Sequence, residues 1–155
     1  MIAARKNTRN ITANDAALVI DSHKTVLDAV ELMDRYRRHA IGVTVNGEFT
    51  GLFTRSDFMK RVIRHNLNPR KTPVGSVMTV DPLVISASSG LKEAYYLMCH
   101  EGYSHLPVVE NGQMVGILAE YDLRKEIASD LKKESRKNKV MEDMFREPYG
   151  RCADC

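Results

Sequence analysis

The sequence predicts an α+β fold built from two tandem β-α-β-β-α repeats. Three observations carry that prediction: a constant internal offset, a pair of Asn-Gly turns, and apolar residues spaced for helices around them. GEFTGLFTRSDF (47–58) and GQMVGILAEYDL (112–123) are versions of one segment, with Gly51 aligned to Gly116 and Asp57 to Asp122. The same offset of 65 aligns Val19-Ile20 with Val84-Ile85, Ala29 with Ala94, Leu32-Met33 with Leu97-Met98 and Val43 with Val108. One offset held without a gap from Val19 to Asp57 marks a tandem duplication.

Each repeat opens on a short apolar run, ALVI (17–20) or PLVI (82–85), which reads as a brief buried strand. A helix follows: Val26, Val30 and Met33 in the first copy, and Leu91, Ala94 and Met98 in the second, recur at helical spacing. Two strands come next, IGVTV and EFTGLF around Asn46-Gly47, then LPVVE and QMVGILA around Asn111-Gly112. Asn-Gly suits a type I′ hairpin turn, whose two central residues both need positive φ. A closing helix carries Phe58 and Val62, or Leu123, Ile127 and Leu131.

The chain divides on this reading into an arm (1–10), a first repeat (11–66), a linker (67–73), a second repeat (74–131) and a charged tail (132–155). The stretch around the linker, RHNLNPRKTPV, holds two prolines and four basic residues and should run exposed. In the tail, KKESRKNK reads as a solvated helix end or a disordered stretch, and VMEDMF (140–145) offers one amphipathic turn.

Composition narrows the function classes. With 43% apolar and 28% charged residues, 155 residues can bury a core without disulfides or metals. The net charge of +3 is mild and the basic residues are interspersed with acids, which argues against nucleic acid. No apolar run reaches the roughly eighteen residues of a membrane span. The start, MIAARKNTRN, lacks the apolar stretch of a secretory signal, so a cytoplasmic location is expected. Cys99 falls in an apolar helical pattern and reads as a buried thiol. Cys152 and Cys155 form one C-x-x-C, and a metal there would need two further ligands. No nucleophile elbow, P-loop, His-Glu-x-x-His or dinucleotide fingerprint occurs, so an enzyme is not expected.

Two β-α-β-β-α copies, each closing on Gly-apolar-apolar-x-x-x-Asp, resemble the CBS domain family, named after cystathionine β-synthase. VMTVDPLVI, GYSHLPVVENGQMVGIL and AEYDL of the second copy are close to the family pattern. The first copy matches in its hairpin and in GLFTRSDF, while its lead-in ITANDAALVI departs from it. The resemblance implies a stand-alone pair packed through its sheets about a pseudo-two-fold axis, a Bateman module, that forms a homodimer. It implies clefts that hold AMP, ADP, ATP, S-adenosylmethionine or a dinucleotide, with no other cofactor required. It further implies a sensor whose change of shape is read by a regulated protein not identified by sequence. A ligand-free scaffold that keeps the architecture only to dimerise is the competing reading.

Thr54-Arg55-Ser56-Asp57 opens the closing helix of the first copy and can be read in two compatible ways. Thr54 and Asp57 have the spacing of a capping box. The same geometry offers free N–H groups and the Thr54 hydroxyl to a phosphate, and the Asp57 carboxylate to ribose hydroxyls. In the second copy Asp122 remains, but Ala119 replaces the threonine and Glu120 replaces the arginine. Unequal clefts are therefore expected, with the one beside Asp57 better suited to a phosphorylated ligand. The resemblance also places Ala40-Ile41, His105-Leu106-Pro107, Leu18 and Pro82-Leu83 against the adenine. For Ile41 and Leu106 plain core packing is the competing reading. His39 and His105 sit near the expected phosphate region and could add positive charge below about pH 6.5.

Overall fold

Residues 7–12 and 17–135 are described by the computed structural model. Elements run α1 (Thr8–Thr12), β1 (Val19–Asp21), α2 (Val26–Arg35), β2 (Ala40–Val45) and β3 (Glu48–Thr54). A helix α3 (Arg55–Asp57) continues into a π-helical turn over Phe58–Ile63, and a 3-10 turn (Val74–Ser76) precedes β4 (Thr79–Val80). The second repeat supplies β5 (Ile85–Ser86), α4 (Leu91–Glu101), β6 (His105–Glu110), β7 (Gln113–Ala119) and α5 (Glu120–Ser135).

Both hairpins form as expected, and Asn46, Gly47, Asn111 and Gly112 all adopt positive φ. Both also carry the same irregularity, a register shift after Val43 in one and after Val108 in the other. In each repeat the opening strand runs parallel to the first hairpin strand, β1 with β2 and β5 with β6. Helix α2 is started by a capping box in which Thr25 and Asp28 exchange hydrogen bonds of 2.9 and 3.1 Å. The apolar spacings read as helices do face the cores: Val26 and Met33 are buried and Val30 packs half-buried against the first core, while Leu91, Ala94 and Met98 are buried in the second.

The opening strand of the second copy is shorter than PLVI suggests. Only Ile85 and Ser86 pair with β6, while Leu83 and Val84 are exposed. Asp81 turns the chain at φ 46, and Pro82 has no N–H to give to a ladder. The tail assigned to 132–155 begins inside α5, which runs to Ser135; the remaining tail residues, with Cys152 and Cys155, lie outside the described residues.

The two repeats complete each other. The segment that leads into the second repeat packs on the first: β4 pairs with β3, and Val74, Val77 and Met78 join Ile41, Val43 and Phe53 in the first core. Its backbone is tied by Val74 N–H to Lys24 O at 2.8 Å and Gly75 N–H to Ser22 O at 3.0 Å. The segment that leads into the first repeat packs on the second in the same way. Thr8 N–H donates to Ser89 O at 3.0 Å and Arg9 N–H to Ala87 O at 3.2 Å. Thr8 and Thr12 are buried, the Thr8 hydroxyl donates to Ser86 O, and Arg9 pairs with Glu110. Thr25 bridges Pro73, and Asn7 bridges Gly90. The exchange is therefore reciprocal, although the first sheet takes a fourth strand from it while the second is covered by helix α1.

The repeated glycine of each hairpin is what lets the foreign segment approach. A Cβ at Gly116 would stand 2.7 Å from the Thr12 Cβ, and one at Gly51 would stand 3.0 Å from Thr79 O and closer still to Met78 Sδ. Neither glycine has positive φ, so space rather than backbone conformation selects it. Gly116→Val should lower the unfolding free energy in urea by about 1–3 kcal/mol through overpacking against α1. The same substitution at Gly112, with nothing near its missing Cβ, should act only through its positive φ.

Candidate functional site

Between the repeats lies a cleft of about 240 Å³. The first repeat contributes Leu18 before β1, the segment Arg37-Arg38-His39 after α2, and Ala40 at the start of β2. The second repeat contributes His105 from β6, Ile117 and Ala119 from β7, and Tyr121 and Asp122 from the first turn of α5. The cleft thus has an apolar floor, one basic wall and one carboxylate.

Four residues picked from the sequence, Leu18, Ala40, His105 and Asp122, meet in this cleft although they come from different repeats. Their chain neighbours do not line it. Strand alternation turns Ile41 and Leu106 into the two cores, where both are fully buried. Pro107 is buried in β6 opposite Ile117, Pro82 is half-buried, and Leu83 is exposed. Thr54, Arg55 and Asp57 lie outside the lining of this cleft.

The duplicated acids have diverged. Asp57 Oδ2 accepts from Thr54 N–H at 2.9 Å and from the Thr54 hydroxyl at 2.8 Å, closing the capping box. Its Oδ1 faces Arg61 Nε at 3.5 Å. Arg61 in turn donates to Met78 O at 2.6 Å and Val77 O at 3.3 Å, which clamps the exchanged lead-in. In the second repeat Ala119 has no hydroxyl, and the residue aligned with Arg61 is Glu126. Among the described residues the Asp122 carboxylate accepts no side-chain hydrogen bond and forms no ion pair, and it faces the cleft.

The charge contrast read from Arg55 and Glu120 is also placed elsewhere. Glu120 pairs with Arg124 one turn along α5 and does not line the cleft. The basic wall comes instead from Arg37-Arg38-His39, whose aligned residues in the second repeat are Gly102, Tyr103 and Ser104. Arg37 and Gly102 both end their helices with positive φ, 52° and 72°. The left-handed region suits glycine and costs an ordinary residue about 1–2 kcal/mol. Sequence reading passed over these arginines because basic residues at a helix end are ordinary. The available signal was the offset, which sets Arg37 against a helix-ending glycine.

His105 sits at the centre of this field. Its imidazole is pushed down to about 4, first by burial and then by the charges of His39 and Arg55. Asp122 and Asp57 oppose that shift without cancelling it. His105 therefore stays neutral as the pH falls through 6.5 and gains its charge only near pH 4.

The chain matches the CBS domain family model twice, over residues 9–64 and 74–129. It is 35% identical over 103 residues to the CBS domain-containing protein CBSCBSPB1 of Arabidopsis thaliana, a match covering 66% of this chain and 19% of that protein. The chain thus spans about a fifth of that relative's length. The mitochondrial CBS domain-containing protein CBSX3 of Arabidopsis thaliana is 26% identical over 128 residues, with 79% and 62% covered. A solved protein with CBS domains from Burkholderia ambifaria shares the fold at TM-score 0.74 and 24% identity, covering 81% of this chain and 96% of that one.

The depressed His105 pKa has a stability consequence. Between its ordinary value of 6.5 and about 4 the unfolded chain holds a proton that the folded one excludes. Stability should be full above pH 6.5 and fall as the pH drops toward 4, by on the order of 3 kcal/mol. Chemical denaturation of the parent and of His105→Ala from pH 7 to pH 4 should show the variant losing less. Two matches over most of its length, on the fold those matches require, make this chain a tandem CBS-domain protein.

Proposed function

We propose that this CBS pair is a regulatory sensor that binds an adenosine-type ligand in the cleft beside Asp122. The observation that carries the reading is the unengaged Asp122 carboxylate facing a cleft built from both repeats. A carboxylate with free lone pairs can accept from two ribose hydroxyls, as acids do in dinucleotide sites. Leu18, Ala40 and Ile117 supply apolar surface for a flat base, and the exposed Tyr121 ring stands at the mouth. At about 240 Å³ the cleft is slightly under the usual ~300–1,000 Å³ of small-molecule sites, so a nucleotide would fill it and project past the mouth.

Family membership supports a regulatory rather than a catalytic reading. The Burkholderia ambifaria relative is provisionally assigned to signal transduction, which agrees with a sensor. Because the ligand would touch Leu18 and His105 at once, its binding would bias how the repeats sit against each other, and a partner protein would read that change. Homodimer formation belongs to the same proposal, and Met59 and Ile63 leave exposed apolar surface on the helix after β3 for it. So does a cytoplasmic setting; among the described residues no helix is long and apolar enough to cross a membrane.

Sequence reasoning ranked the cleft beside Asp57 first, and the geometry favours the reverse order. Thermal denaturation with AMP, ADP, ATP, S-adenosylmethionine and NAD tests both the reading and the order. A ligand at one hundred times its dissociation constant should stabilise the parent by about 2.7 kcal/mol. Asp122→Asn should keep the parent's melting temperature and lose most of the ligand shift. Asp57→Asn should weaken the cap and the Arg61 clamp, costing about 1–2 kcal/mol without ligand, and keep the shift. No shift with any of these ligands would favour the ligand-free scaffold.

A further inference from the structure

We infer that two copies of this chain dock head to tail, with Met59 and Ile63 of the first repeat set against Tyr96 and His100 in the second repeat of the other copy. This rests on the homodimer part of the reading above and is independent of the adenosine part. What it adds is which surface meets which.

Each repeat turns one side of an opening and a closing helix to its core. Ala29 and Met33 of α2 and Val62 of the helix after β3 bury in the first core. Ala94 and Met98 of α4 and Leu123 of α5 bury in the second. On the outward sides the duplicated positions have traded character. Glu31 and Arg35 on α2 align at the 65-residue offset with Tyr96 and His100 on α4. Met59 and Ile63 on the helix after β3 align with Arg124 and Ala128 on α5. All of these residues are exposed. The first repeat therefore shows its apolar pair on the closing helix, and the second shows an aromatic pair on the opening helix.

The two surfaces fit each other better than either fits itself. Met59 and Ile63, four residues apart, are 56 and 50% exposed, and Tyr96 is 68% exposed. Tyr96 and His100 stack with ring centroids 5.7 Å apart, a flat surface of the kind a methionine sulfur packs against well. Their rims are opposite in charge. No acid occurs from Phe58 to Thr72, and exposed Lys60 and Arg64 flank the apolar pair. Helix α4 carries exposed Glu93 and Glu101 against one base, Lys92. The other half of the contact would set Glu31 against Arg124, whose side chain is still 55% exposed beside Glu120, with small Ala128 leaving room. A like-on-like dimer would instead bring Lys60 and Arg64 against their own copies, and Arg124 against Arg124, which complementary interfaces avoid. A two-fold axis repeats the head-to-tail match twice and closes the assembly at two chains.

Sedimentation equilibrium of the full chain tests the arrangement through a charge pair built across it. Met59→Lys alone and Tyr96→Glu alone should each weaken the dimer about tenfold or more. The double variant Met59→Lys/Tyr96→Glu should recover most of that loss, because head-to-tail docking sets the new cation against the new anion. Like-on-like docking would set each new charge against its own copy, and the double variant would then be weaker than either single one. All of these positions are exposed, so circular dichroism should be unchanged. A second measurement uses disulfide formation in a Cys99→Ser, Cys152→Ser, Cys155→Ser background. A chain carrying both Ile63→Cys and His100→Cys should cross-link into dimers, and a chain carrying either one alone should not.

A double variant weaker than both single ones, or cross-linking by Ile63→Cys alone, would overturn the head-to-tail arrangement and leave the homodimer standing. Single variants that dimerise like the parent would also overturn it, by placing the interface elsewhere. A parent that stays monomeric would overturn both the arrangement and the homodimer. None of these results bears on the adenosine reading, which the ligand series above tests separately.

Discussion

Every feature of the site depends on the exchange of lead-in segments between the repeats. A short β-α-β-β-α unit cannot close its own core, because its three-stranded sheet leaves an apolar face uncovered. Here Val77 and Met78, from the opening segment of the second repeat, fill the core of the first. Thr8 and Thr12, from the segment that opens the first, are buried on the second. The contact is close enough to require glycine at Gly51 and Gly116. Once both segments have crossed over, the two hairpins face each other, and the ends of β2 and β7 bring Ala40 and Ala119 into one cleft.

The duplication supplies two copies of each chemical group, and the exchange makes different use of them. Asp57 caps α3 and positions Arg61, and Arg61 holds the carbonyls of Val77 and Met78. That acid belongs to the joint between the repeats. Its duplicate, Asp122, lacks both a threonine to cap and an arginine one turn on, and is left facing the cleft. Under the proposed function, stability and recognition would be divided between two residues of common origin. The same division runs through the helix ends, where Gly102 meets the backbone requirement and Arg37 meets it at the expense of strain.

Much of the architecture is legible in the sequence because it is written twice. The 65-residue offset, the Asn-Gly turns and the helical spacings each reflect a local rule that a single chain reports directly. The reciprocal exchange is not legible in this way. β4 is two residues long, too short for any periodicity, and its partner strand belongs to the other repeat. The candidate site was half legible for a related reason. Leu18, Ala40, His105 and Asp122 follow from position within each repeat, whereas the engagement of Asp57 by Arg61 depends on a side chain one helical turn away. Arg37 and Arg38 were missed because the sequence does not show that the residues after α2 of one repeat and the first turn of α5 of the other line one cleft.

The cleft walls belong to different repeats, so a ligand bound there would be joined to the relative placement of the two halves. On the proposed function it would act as a further strut across the joint that Arg61 already braces. The most direct test of that picture is a crystal structure of the chain with ATP at saturating concentration. The account predicts the ribose hydroxyls within hydrogen-bond distance of the Asp122 carboxylate and the base against Leu18, Ala40 and Ile117. A nucleotide whose ribose lies at Asp57, or a cleft beside Asp122 that stays empty, would contradict it.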